Sequence, residues 1–156
     1  SSGGTNGIGS IFEWDPISNV LTKKRDLDMI NGGFPFGSLS LYAGKFYGMT
    51  SVGGGFSSGT LFEWDPITNV YTTQLDFSPT NGERPYGTFL FQVSLFYGTT
   101  KSGGVNGCGT IFEWDPLTGI YVKKIDMTSN GGSGSFGALT LANPVISNPT
   151  HHLLAF

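Results

Sequence analysis

One hexapeptide recurs three times in this chain at a fixed interval. Ile11-Phe12-Glu13-Trp14-Asp15-Pro16 returns as Leu61-Phe62-Glu63-Trp64-Asp65-Pro66 and as Ile111-Phe112-Glu113-Trp114-Asp115-Pro116, each time after 50 residues. Insertions or deletions between copies would break that register, so each copy occupies an equivalent place in a repeated structure. A period near fifty points to propellers, solenoids and arrays, in which one supersecondary unit stacks on the next.

Written in phase, the repeat holds four strand-like runs, here named a to d. Run a is Ser38-Leu39-Ser40-Leu41-Tyr42, followed by an Ala43-Gly44-Lys45 turn into run b, Phe46-Tyr47-Gly48-Met49-Thr50. A flexible loop from Ser51 to Gly59 leads to run c, residues 60–65, and Pro66-Ile67-Thr68-Asn69 turns the chain into run d, residues 70–77. β-Branched and aromatic residues fill the runs, while Gly, Asn, Ser and Pro separate them. With 25 glycines in 156 residues, 12% charged residues and 14% aromatics, short strands and Gly-rich turns account for the balance and helices do not.

At the c–d turn an Asp can bond forward to the backbone and Pro presets φ. Asn19, Asn69 and Gly119 close the three turns, and these residue types tolerate a left-handed conformation. Lysines and an arginine in run d (Lys23, Lys24, Arg25, Lys123, Lys124) suit an outer edge guarded against further pairing. The reading is all-β and β-propeller-like, with about three four-stranded antiparallel blades per chain running from an inner a to an outer d. A β-solenoid of parallel coils is the alternative.

The phase also divides the chain, read as one repeat domain over 1–156. Residues 1–36 hold a c–d half blade, 37–86 and 87–136 full repeats, and 137–156 a terminal a–b half blade and tail. The last run a reads Ala138-Leu139-Thr140-Leu141; the segment expected to supply run b, Ile146-Ser147-Asn148-Pro149-Thr150, departs from the repeat. The chain opens at Ser1 without a methionine or apolar signal region, so residue 1 reads as a processing boundary.

Gly53-Gly54, Gly59, an apolar strand and Trp64-Asp65-Pro66-x-Thr68-Asn69 resemble the kelch repeat of β-propellers. More closely, the unit resembles the Gly-rich tandem repeats called GloVer, through Tyr47-Gly48-Met49-Thr50, the Gly-Gly loop, Gly59-Thr60-Leu61-Phe62, and Asn81-Gly82 before Pro85-Tyr86-Gly87. The resemblance covers roughly residues 1 to 141. A kelch repeat would carry Trp in run d, where this chain has Leu21, Tyr71 and Tyr121. The GloVer resemblance implies bacterial export or surface display and brings no catalytic residues with it.

A net charge of −3 speaks against nucleic acid or an anionic membrane as partner, and no apolar run approaches the roughly 20 residues that would span a bilayer. Cys108 is the sole cysteine and permits no internal disulfide. Glu13, Glu63 and Glu113 precede Asp15, Asp65 and Asp115 by two residues, so each pair shares a strand face. They could be paired carboxylates for acid–base or metal chemistry. Identity in all three copies favours a structural role instead, because an active site breaks the symmetry of its scaffold. Trp14, Trp64 and Trp114, with Asp15-Pro16, Asp65-Pro66 and Asp115-Pro116, are therefore assigned to blade packing and turns. Asp26, Asp76 and Asp126 read as loop-entry residues. His151 and His152 lie outside the repeats with no matching nucleophile, and read as a frayed tail. No catalytic residue, metal site or cofactor is expected.

The b–c and d–a loops leave an antiparallel blade on one face. They carry Asn6, Asn31, Phe34, Phe36, Phe56, Asn81, Arg84, Tyr86, Asn106, Asn130 and Phe136. Aromatic faces beside amides can hold sugars or peptides. Phe36, Tyr86 and Phe136 are also repeat-equivalent, which suits rings that plug the blades. The expected function is a non-enzymatic extracellular or cell-surface repeat module for self-assembly or recognition, its partner another copy or further repeats of a longer chain. Glycan binding is one alternative, with a glycan or surface protein as partner; hydrolase or lyase chemistry on the strand-c carboxylates is another.

Overall fold

The computed structural model describes residues 3–142 and 152–154. All its regular structure is strand, and every strand pair is antiparallel. β1 (Ser10–Asp15) and β2 (Val20–Asp26) form a two-stranded sheet. β3 (Ser40–Tyr42), β4 (Lys45–Thr50), β5 (Thr60–Trp64) and β6 (Tyr71–Asp76) form a four-stranded meander in that order. β7 (Leu90–Gln92), β8 (Leu95–Thr99), β9 (Thr110–Trp114) and β10 (Tyr121–Asp126) repeat it. β11 (Thr140–Ala142) pairs with β12 (His152–Leu154). The antiparallel meanders rule out the parallel coils of a β-solenoid.

Alternation along each strand separates two faces. In the second sheet Phe62 and Trp64 lie on one face and pack with Ile11 of the first sheet, joined by Phe46 and Tyr71. The opposite face carries Tyr47, Met49 and Leu61, which meet Phe96, Phe112 and Trp114 of the third sheet. Tyr47 lies 5.1 Å from Phe96 and 5.6 Å from Trp114, ring centre to ring centre. The core is thus a set of layers between successive sheets, built by the repeat's aromatic residues.

Strand d lies at the sheet edge, and each copy carries the same bulge. Register skips Lys24 in β2, Gln74 in β6 and Lys124 in β10. Lys24 and Lys124 reach back to Glu13 and Glu113 at 2.6 and 3.0 Å. A bulge and a charge at the outer edge both discourage further pairing.

Run a is shorter than its sequence pattern. The strands begin at Ser40, Leu90 and Thr140 because the residues before them serve contacts between repeats: the Ser38 N–H donates to Thr88 Oγ1 at 2.8 Å. The last repeat corrects one expectation, and another falls outside the described residues. Strand b was expected at residues 146–150, most of a segment (143–151) outside the described residues; the strand paired with β11 is His152–Leu154. His152 is therefore not tail but the first residue of a paired strand, while His151 lies outside the described residues.

The two short a–b turns differ in fitness for their geometry. Both central residues have positive φ, 48° and 79° at Ala43-Gly44 and 49° and 66° at Val93-Ser94. Such a turn favours Asn-Gly, and a β-branched Val is poorly suited to it. Val93 is exposed, so its replacement loses no packing. Val93→Asn with Ser94→Gly is expected to stabilise the fold by about 1 kcal/mol, raising Tm by about 2–4 °C. An unchanged calorimetric Tm would mean that the turn holds no strain.

Candidate functional site

The strand-c carboxylates face different partners within each repeat. Glu63 receives Lys45 Nζ at 2.6 Å and the Tyr47 hydroxyl at 2.9 Å. Burial, and then the adjacent Glu63 carboxylate, push the Tyr47 phenol well above its ordinary value. Asp65 instead accepts the backbone N–H groups of Ile67 at 2.8 Å and Thr68 at 3.2 Å, which hold its carboxyl below the usual range. Asp15 and Asp115 are lowered likewise, first by the hydroxyls of Ser18 and Thr118 and then by the N–H groups of Ile17 and Leu117. Each Glu is thus a cross-strand ion-pair partner and each Asp a turn former.

The loop-entry aspartates hold the b–c loops. Asp26 accepts Lys23 Nζ at 2.7 Å, the Thr5 N–H at 2.9 Å and the Thr5 hydroxyl at 2.7 Å, which lower its pKa to about 2. Asp126 accepts the Val105 N–H at 2.8 Å in the same way.

Most of the amides considered for ligand binding are engaged within the loops. Asn31 Nδ2 donates to both Asp28 carboxylate oxygens at 3.0 Å. Asn81 accepts the Ser78 N–H at 2.7 Å and donates to the Asp76 carbonyl at 3.3 Å. Asn6 and Asn106 donate to the carbonyls of Leu27 and Met127 at 2.7 and 3.1 Å. Their placement explains the recurrence: the Asn31 carbonyl accepts Thr60 Oγ1 and the Tyr71 hydroxyl of the next repeat, and the Asn81 carbonyl accepts Thr110 Oγ1 and the Tyr121 hydroxyl. Asn130 and Phe56 are exposed.

Phe34 and Arg84 take left-handed backbone at φ 54°, with Gly134 at φ 64° in the equivalent place. The conformation serves a strap. The N–H of Arg84 donates to the Ser58 carbonyl at 2.8 Å and its carbonyl accepts the Lys101 N–H at 3.2 Å, tying the end of one b–c loop to the start of the next. Phe34 makes the same two links, to Ile8 and Ser51.

Three predicted rings do come together. Phe36, Tyr86 and Phe136 form a row with successive ring centres 4.9 Å apart, and Lys101 Nζ lies 4.5 Å from the Phe136 centre and 5.5 Å from that of Tyr86. The other site of note escaped the loop-based reading. A cleft of about 360 Å³ opens beside β1, lined by Ile11, Phe12, Leu27, Pro35, Leu39 and Phe62 with three glycines and Ser10. In the complete sheets a Cβ on Gly59 or Gly109 would collide with the carbonyl of Thr50 or Thr100, at the end of run b. On Gly9 it would meet Pro35 and Leu27 instead.

The family model of the Gloeobacter/Verrucomicrobia repeat matches residues 1–145. The chain belongs to this repeat family. No curated protein matches it.

The copies of the Gloeobacter/Verrucomicrobia repeat differ at one telling position. Trp14 and Trp64 donate their indole N–H to Asn19 and Asn69 Oδ1 at 3.1 and 2.9 Å, whereas Trp114 Nε1, opposite a turn closed by Gly119, is buried without a partner among the described residues. A Cβ at Gly119 would meet nothing within 4 Å, and its φ of 72° lies in the left-handed region that Asn19 and Asn69 adopt at 55° and 58°. Gly119→Asn is expected to stabilise the chain by about 1 kcal/mol, from a buried donor newly satisfied. Asn69→Gly should lower stability by a similar amount, about 1 kcal/mol, both read from chemical denaturation.

The Asp26 pKa sets a pH dependence. Its folded value of about 2 lies below the ordinary 3.8, so its contribution is present above pH 4 and is lost as pH falls through 2. Melting temperature should fall over that interval, and less steeply in Asp26→Asn. Equal slopes would show that the carboxylate does not tie the b–c loop to strand d.

Proposed function

We propose that this chain is a propeller-like, kelch-related repeat module whose sheets act as blades, and that it works by assembly or recognition at the cell surface or outside the cell, without catalysis. One comparison carries the reading. Phe62 and Phe112 are 1% and 0% exposed, while Phe12 is 61% exposed; Trp64 and Trp114 are 5% and 0%, while Trp14 is 55%. The same residues are buried where a sheet precedes them and open where none does among the described residues. At the other end Ile125, equivalent to the half-buried Leu75, is 53% exposed. A blade face of this kind is completed by a neighbouring blade. Propeller-like convergence is supported by Gly37, Gly87 and Gly137, whose backbones approach so closely that a Cβ on Gly37 or Gly87 has no room.

The carboxylates favour this reading over a hydrolase or lyase, since Glu63 and Asp65 are each committed to separate local partners. Light scattering on the purified chain is expected to show a dimer or larger assembly. Deleting residues 1–30 should abolish it, and Phe12→Asp with Trp14→Asp should do so while the melting temperature of the remaining sheets holds. A compact monomer, or turnover of a hydrolase substrate lost in Glu63→Gln, would overturn the proposal.

A second reading rests on the row of Phe36, Tyr86 and Phe136 beside Lys101. Exposed ring faces of this kind suit a glycan. A saturable glycan-array signal lost in Phe136→Ala would favour that lectin-like use of the module.

A further inference from the structure

The positive charges of the chain are unevenly committed. Lys23, Lys24, Lys45, Lys123 and Lys124 each form an ion pair with a carboxylate. Arg25 lies over the Tyr71 ring, 4.7 Å from its centre. Lys101 and the exposed Arg84 have no carboxylate partner among the described residues. These two meet at one place. The Lys101 N–H donates to the Arg84 carbonyl at 3.2 Å, and Lys101 Nζ stands over the Phe136 and Tyr86 rings.

The same place breaks the symmetry of the repeat. Lys101 stands where the preceding copy has Ser51, whose hydroxyl donates to the Phe34 carbonyl at 3.0 Å. Arg84 stands where the other copies have Phe34 and Gly134, and Tyr86 adds a phenol where they have Phe36 and Phe136. The backbone strap does not require these changes, since Phe34 makes the same two links as Arg84. The repeat's Glu, Trp and Asp recur in every copy because the scaffold uses them. Three polar departures on one strap serve something outside the scaffold. Glu83, beside Arg84, accepts the Ser58 hydroxyl at 3.2 Å, so the junction holds two positive charges against one negative.

We propose that the row of Phe36, Tyr86 and Phe136 binds an acidic glycan, whose carboxylate is received by Lys101 and Arg84 while its sugar rings lie on the aromatic faces. The inference rests on the lectin-like reading of this row and adds the charge of its ligand. An ammonium carries three hydrogen-bond donors, and a ring face leaves them available to an anion. The rings hold the Lys101 head group in place, which lowers the ordering cost of binding. The guanidinium of Arg84 presents a planar fork that matches a carboxylate. A sugar can set its apolar C–H face on a ring and keep its hydroxyls in water, so it needs none of the loop amides. That suits a surface where Asn31 and Asn81 are engaged within their own loops. A peptide would require main-chain partners that the row does not offer. Nucleic acid bears a charge at every unit, and a chain of net charge −3 with two uncommitted cations lacks the basic surface to hold it.

Oligogalacturonate and its methyl ester share a sugar ring and differ in the charge of the carboxyl group. In titration calorimetry at low salt the acid is expected to bind about tenfold tighter than the ester, the effect of one charge-assisted hydrogen bond, and added salt should narrow the gap. Lys101→Ser with Arg84→Gly gives each position the residue of a repeat equivalent, so the fold holds, and should bring the two affinities within about twofold. Phe136→Ala should weaken both ligands, with the melting temperature of each variant as the check on folding. Equal binding of acid and ester, both lost in Phe136→Ala, overturns the carboxylate site and leaves the lectin-like reading standing. A preference for the acid that survives the double variant overturns Lys101 and Arg84 as its receptors. Oligoglutamate or oligothymidylate binding tighter than the acid at equal salt overturns a glycan as the ligand class. No binding of oligogalacturonate overturns the inference, and a glycan array silent for neutral sugars as well overturns the lectin-like reading with it.

Discussion

Burial of strand-c aromatic residues against the preceding sheet is the interaction on which the rest of the structure depends. A single sheet of this chain has too few residues to cover either of its faces. Phe62 and Trp64 become interior only because Ile11 and its strand lie across them, and Phe112 and Trp114 only because Tyr47 and Met49 do. Fully burying one large apolar side chain contributes about 1.5–3 kcal/mol, so each inter-sheet layer carries several times that amount. Stability therefore resides between repeats more than within them, as in other repeat arrays.

Apolar packing alone would let the sheets slide, and a polar strap fixes their relative position. Thr50 and Thr60 hydroxyls lie 2.9 Å apart in the buried interior, as do those of Thr100 and Thr110. The second of each pair passes its hydrogen bond to the carbonyl of Asn31 or Asn81 in the preceding d–a loop. Gly32 and Gly82 follow those asparagines with φ of 115° and 121°, and a Cβ at either would collide with the threonine hydroxyls. The Asn-Gly step is thus explained by a close approach and a specific bond. A displaced neighbour would leave buried hydroxyls unpaired, and that cost enforces the register.

The strand order, the c–d turn and the guarded outer edge were legible in the sequence, because each is written in local chemistry three times. The structural roles of Trp64, Asp65 and Glu63 were legible for the same reason. Asn31 and Asn81 were less so. Their recurrence was visible, but a repeated amide in a loop looks alike whether it meets a ligand or closes a turn; the deciding partners, Asp28 and Ser78, are ordinary loop residues. The last strand was hidden because it starts out of phase with the repeat. The a–b turn takes two residues at Ala43-Gly44 and again at Val93-Ser94, so a fixed phase of 50 places strand b near residue 146. β12 begins instead at His152, and only pairing to β11 reveals the correspondence.

That displaced strand bears on why the repeat tolerates change where it does. Inside the array strand b is held on both sides, by β3 and β5 or by β7 and β9, and its glycine must admit a buried phenylalanine ring. Gly48 and Gly98 obey that limit. Among the described residues, strand b of the last unit pairs with β11 alone. Phe12 of β1 faces the cleft, with no strand across it among the described residues.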